Sequence, residues 1–143
     1  MSGRRSAASP RRLGAAAAEL AMILPLLLTI ALACVDLGRF AHSSIALSNA
    51  VRIGAEWGAG RTVTSFTQPD WEAQVVTEVN NEMAQLGGVD LAKLAVEVES
   101  IDEGNKLRRT EVEATYPFDT IVNWPAFPHH IEMRRRHAMH QMR

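Results

Sequence analysis

The feature that most constrains this chain is the run from Ala15 to Val35, AAAAELAMILPLLLTIALACV, whose only charge is Glu19. A helix of that length rises about 31 Å, enough to cross a hydrocarbon core of about 30 Å. Its strictly uncharged part, Leu20–Val35, is shorter, between the core of a signal peptide and a full span. The chain has 143 residues, about one domain's worth, and no room for a large catalytic domain remains once this run is subtracted. Pro25 falls inside the run, where its missing N–H predicts a kink or a local loosening.

Charge is segregated around that run. Arg4, Arg5, Arg11 and Arg12 precede it with no acid among them, and every acid but Glu19 lies from Asp36 onward. The whole chain carries −1, from 15 Lys+Arg against 16 Asp+Glu. Without residues 1–14 the balance is 11 bases against 16 acids, or −5. That body is too acidic for a basic nucleic-acid binder, so no nucleic acid is expected among the partners. Positive charge before the span places the N-terminus in the cytoplasm and the remainder outside. Cys34 is the one cysteine, which excludes an internal disulfide and a Cys-based zinc site.

Three fates of the apolar run compete. A secretory signal would be cut after Ala31-Leu32-Ala33, releasing a chain that begins at Cys34. A lipoprotein would carry its lipid on Cys34, for which Ala31 fits poorly. A retained anchor fits best, because Glu19 gives a simple signal peptide nothing. The helical spacing also continues through Leu37, Phe40, Ser44, Leu47, Val51 and Gly54, which predicts one helix from about Ala15 to Trp57.

The segment Leu13-Gly14-Ala15-Ala16-Ala17-Ala18-Glu19 joins a basic leader, a glycine and an acid five residues beyond it at the start of an apolar helix. It resembles the processing site of type IV pilins and pseudopilins. Farther on, Val35-Asp36-Leu37-Gly38-Arg39 and Leu47-Ser48-Asn49-Ala50-Val51-Arg52-Ile53-Gly54-Ala55 are similar to the N-terminal signature of TadE-like minor pseudopilins of the tight-adherence (Flp) pilus system. The resemblance covers about residues 11–60. Leu20 departs from the phenylalanine often found after the glutamate, and Pro25 lies earlier than the proline of ordinary type IV pilins, which favours the TadE branch.

The resemblance implies a bacterial cytoplasmic-membrane protein cut between Gly14 and Ala15 by a prepilin peptidase. It also implies a supporting or priming role in pilus assembly. The implied partners are that peptidase, other pilins and pseudopilins, the inner-membrane assembly machinery and membrane lipid. The mature protein would stay at the membrane or enter the extracellular pilus. Glu19 would be the assembly residue, and Asp36, Gly38, Arg39, Asn49 and Arg52 the signature of the stalk. A lone carboxylate near lipid is costly and persists where a partner compensates it; the new terminal ammonium of an adjacent subunit would be such a partner.

Beyond the membrane, small residues are dense and form a packing stripe with Leu37, Phe40, Leu47 and Val51. The stripe can face this chain's own sheet or another subunit. Asp36 and Arg39 are expected to pair as an exposed couple of little weight. Gly58-Ala59-Gly60 ends the helix, and Arg61–Gln68 reads as a loop. Pro69 and Asp70 then open a second helix with Trp71, Val75, Val79, Met83 and Leu86 on one side, stopped by Gly87-Gly88.

The period then changes to two. Leu94, Val96 and Val98 mark a strand, Asp102–Asn105 a hairpin turn, and Val112, Ala114, Tyr116 and Phe118 its partner. Pro117, Pro125 and Pro128 make the connection irregular through Trp124 and Phe127, and a last strand runs from Ile131 to about Gln141. In it Arg134 and Arg136 are expected across from the hairpin glutamates.

The expected fold is α+β and pilin-like: a long N-terminal transmembrane helix, a second helix and a small antiparallel β-sheet. Its parts are a cleaved basic leader (1–14), a transmembrane helix and helical stalk (15–60) and an extracytoplasmic α+β domain (61–143). No catalytic residue, metal ligand or cofactor is expected. His129 and His130 flank a proline-rich loop, while His137 and His140 fall on opposite faces of a strand. No nucleophile motif or phosphate loop is present. The competing function is a bitopic envelope scaffold or binding protein with an outer interaction domain.

Overall fold

A computed structural model of the chain describes residues 10–104, 107–125 and 128–141. Helix α1, Pro10–Ala59, runs the full length of the expected anchor and stalk. It begins before the expected Ala15, with Pro10 in a first turn that tolerates its fixed φ. It continues through Pro25 without a break, and the Thr29 hydroxyl donates to the Pro25 carbonyl at 2.8 Å. At 1.5 Å per residue its 50 residues extend about 75 Å. Gly60 N–H closes the last turn on the Glu56 carbonyl at 3.1 Å.

Helix α2, Gln68–Ala84, follows a short loop and carries a buried stripe of Trp71, Val75, Val79 and Met83 at four-residue spacing. Leu86 falls beyond the helix end, half-buried, because the α-helical bonding stops at the C-cap Gln85, itself still in αR geometry, before the glycine pair is reached. Gly88 takes the positive φ of 87° that turns the chain toward the sheet. A 3₁₀ turn, Leu91–Lys93, is capped by the Asp90 carboxylate, which accepts from Ala92 N–H at 3.1 Å.

The sheet has three strands in the order β1-β2-β3, all neighbours antiparallel: β1 Ala95–Gly104, β2 Leu107–Asp119 and β3 His130–His140. Val98 sits opposite Val112, and Met133 opposite Tyr116. Gly104 has φ 79° at the hairpin, and its N–H bonds the Asp102 carboxylate at 2.9 Å. Asn105 and Phe127 lie outside the described residues. The α+β arrangement expected from the sequence is thus the one observed.

Both helices lie on one face of this sheet. From α1, Leu47, Ala50, Val51 and Ala55 join Trp71, Val75, Val79 and Met83 of α2. The sheet contributes Val112, Ala114, Phe118 and Met133 to the same cluster. The core therefore crosses the junction at residues 60 and 61, with the C-terminal half of the long helix serving as one wall of the α+β domain. Gly54 and Gly58 permit the close approach. A Cβ on Gly54 would stand 2.5 Å from Val79 Cγ2, and one on Gly58 2.8 Å from Thr110 Cγ2. The small-residue stripe thus packs against its own domain there. Leu37 does not share it, being 68% exposed.

Candidate functional site

The helix changes character at one residue. Every residue from Gly14 to Val35 is exposed, and Asp36 is the first buried side chain, at 5%. Leu20, Met22, Ile23, Leu26, Leu27 and Leu28 are all exposed on the first half. A bare apolar surface of this size is what a lipid environment accommodates. Among the described residues one helix, over residues 14–59, is long and apolar enough to cross a membrane.

At the N-terminal end of the bare stretch, Gly14 and Ala15 lie inside α1, and nothing stands within 4 Å of where a Gly14 side chain would begin. Glu19 is exposed four residues on from Ala15, about 6 Å along the axis and on the same helical face. Among the described residues it makes no hydrogen bond or ion pair.

At the C-terminal end of that stretch, the Asp36 carboxylate closes the α+β domain onto the helix. Its Oδ1 accepts Ile121 N–H at 2.9 Å and Arg39 Nη1 at 3.3 Å. Its Oδ2 accepts the Trp124 indole N–H at 3.0 Å and Val122 N–H at 3.4 Å. The Ile121 N–H, foremost, holds this carboxyl below its ordinary range against the opposing effect of desolvation, with help from Trp124, Val122 and Arg39. The expectation of an exposed Asp36–Arg39 couple is corrected here. The pair exists, but the acid is buried, and its main partners lie some 85 residues away in the chain.

Neighbouring contacts complete this clasp. The Arg39 guanidinium stands over the Phe118 ring, 5.3 Å from its centroid, and Phe40 meets the same ring edge-on at 5.4 Å. Thr120 closes the loop on itself, its N–H bonding the His129 carbonyl at 3.1 Å and its hydroxyl the Val122 carbonyl at 2.8 Å. Arg135 reaches from β3 to the Ser44 hydroxyl of α1.

The other signature positions do not converge on this point. Gly38 faces open space. Asn49 lines an open groove between α1 and the end of α2 with His42, Ile45 and Gln85. Arg52 is exposed and pairs along the helix with Glu56. Only Asp36 and Arg39 of the five touch the outer domain's distal chain. Ile121, Val122 and Trp124, which complete the acid's shell, escaped sequence reading. Their one signal was an indole N–H and free backbone donors in a proline-broken connection.

The histidines stand apart. His129 Nδ1 is 3.0 Å from the Thr120 hydroxyl, and His130 Nδ1 2.7 Å from Asp119. The His130 ring, foremost, holds the Asp119 carboxyl below its ordinary range. His137 turns toward the helices and His140 toward Glu103 on the opposite face. No group of three or more metal-ligating side chains occurs among the described residues.

Residues 14–56 match the family model described as TadE-like protein. That stretch is under a third of the chain and lies entirely within α1, from the exposed Gly14 to the last turn of the stalk. It includes Glu19, the buried Asp36 and the core residues Leu47 and Val51. The resemblance read from the sequence is therefore met over the anchor and stalk. No curated protein and no solved structure matches the chain.

Proposed function

We propose that this chain is a membrane-anchored minor pseudopilin that supports or primes assembly of a tight-adherence (Flp) pilus. In this reading it is itself a substrate, cut by a prepilin peptidase between Gly14 and Ala15, and catalyses no reaction. Its N-terminus faces the cytoplasm and its α+β domain the far side of the membrane. The single observation that carries the reading is the TadE-like match along a helix whose inner half is bare and apolar and whose outer half is the wall of a folded domain.

The roles follow from that geometry. Glycine in a helix costs about 1 kcal/mol relative to alanine, so the turns around Gly14 unwind readily into the extended backbone a protease needs. Cutting there would create an ammonium on Ala15. Glu19 has no partner of its own among the described residues, and an adjacent, staggered copy could present that ammonium to it within the low-dielectric layer. Asp36 would hold the outer domain against the rod that membrane partners grip. The implied partners are the peptidase, other pilins and pseudopilins, the assembly machinery and lipid.

Mass spectrometry of the mature N-terminus tests this directly. Ala15 is the expected first residue. Met1 or Ser2 would overturn the processing claim in favour of an ordinary bitopic scaffold, and Cys34 would mean a released module. Replacing Glu19 with alanine is expected to leave membrane insertion intact and to abolish incorporation into assemblies.

A further inference from the structure

The solvent face of the sheet is acidic along β1 and mainly basic along β3, where Glu132 stands beside the two arginines. On β1 it carries Glu97 and Glu99, both exposed, with no ion pair among the described residues. On β3 it carries Arg134 and Arg136, which lean on Glu113 and Glu111 of the central strand while remaining 69% and 59% exposed. Strands β1 and β3 are the two edges, and no backbone hydrogen bond joins either to anything but β2 among the described residues.

Register makes the two edges complementary. Glu97 is opposite Glu113, which is opposite Arg136, so Glu97 and Arg136 stand at one level of the sheet. By the same path Ala95 is level with Arg134, and Glu99 with Ala138, between Arg136 and His140. Both edges run antiparallel to β2 and hence parallel to each other. Copies anchored in one membrane share their orientation, so the β1 edge of one and the β3 edge of a neighbour meet as level, parallel strands.

We propose that the β1 edge of one copy docks on the β3 edge of a second copy, with Glu97 level with Arg136 and diagonal to Arg134, and Glu99 diagonal to Arg136. Like edges repel, acid against acid or arginine against arginine, so only the unlike pairing is favoured. Such a contact is heterologous, and repetition gives a row rather than a closed pair. It also covers the unpaired backbone that exposed edges present. The inference rests on the anchored reading only for the shared orientation; it needs neither cleavage at Gly14 nor pairing of Glu19.

The test uses the full chain with Cys34→Ala in vesicles of phosphatidylethanolamine and phosphatidylglycerol. An Ala95→Cys variant and an Arg134→Cys variant, purified separately, are mixed in the same vesicles and oxidised. A mixed disulfide dimer is expected, with little dimer from either variant alone. Adding Glu97→Arg and Glu99→Arg to the first variant is expected to lower its yield about tenfold; the far-UV spectrum should stay unchanged, because both glutamates are exposed and make no close ion pair among the described residues, Glu97 feeling Arg134 only at longer range. Absence of the mixed dimer, equal dimer from single variants, or a yield indifferent to the charge reversal would each overturn the proposal. A mixed dimer formed by chains that keep Met1 supports edge docking independently of the processing reading, which the mature N-terminus tests separately.

Discussion

Asp36 and Trp124, 88 positions apart, meet at 3.0 Å where the long helix leaves its bare apolar half. The indole N–H and two backbone N–H groups converge on a carboxylate that sequence alone pairs only with Arg39. A buried acid with four donors is satisfied, and removing its charge strands those donors.

Asp36→Asn should therefore loosen the 120–124 loop while leaving the α1–α2–sheet core in place. The amide keeps one acceptor but turns a donor toward N–H groups that need an acceptor. Trp124 emission, taken as the difference from a Trp124→Phe variant, should shift to the red and quench more readily. An unchanged spectrum would contradict the clasp.

The same carboxylate predicts a pH dependence of definite sign. Its folded value lies below its ordinary 3.8. The stability it contributes is then fully present above that value and is lost as pH falls through the lower folded value. The Trp124 signal should stay flat from neutral pH down to the ordinary carboxylate range and move only below it. Asp36→Asn should remove that transition. A midpoint above pH 5 in the parent would contradict the assignment.

Gly58→Ala sets two effects against each other. Removing a helical glycine favours the helix by up to about 1 kcal/mol. The new methyl would stand 2.8 Å from Thr110 Cγ2 and 3.0 Å from the Trp71 ring, in a packed core. Overpacking costs about 1–3 kcal/mol, so net destabilisation is expected by denaturant titration. At Gly38, where nothing stands within 4 Å, the same change should be neutral or slightly stabilising.

Leu47 belongs to the anchor helix but is fully buried in the outer domain. Leu47→Ala should cost about 2–5 kcal/mol. A fragment beginning at residue 61 should lack cooperative unfolding, because it leaves one wall of the core behind. A fragment beginning at Asp36 should unfold cooperatively. Equal cooperativity in the two fragments would contradict the shared core.

The elements were legible wherever local chemistry speaks with one period. The four-residue spacing of Trp71, Val75, Val79 and Met83 marks a helix face, and the alternation of Val112, Ala114 and Phe118 marks a strand. The opposition of Arg134 and Arg136 to hairpin glutamates followed from alternation too, and both ion pairs form. Boundaries were less legible. Leu86 keeps the helical spacing of its predecessors, yet the helix has already ended, because hydrophobic spacing carries no information on where backbone bonding stops.

The apolar run, the basic leader, the glycine and the lone acid are properties of neighbouring residues. They set a helix able to span a membrane and the family resemblance before any folding is considered. Only the folded chain decided that half of the anchor helix is core, that Gly54 and Gly58 face their own domain, and that Asp36 is buried. Each of those depends on which distant segments pack together, and local periodicity is blind to contacts made across more than eighty residues of chain.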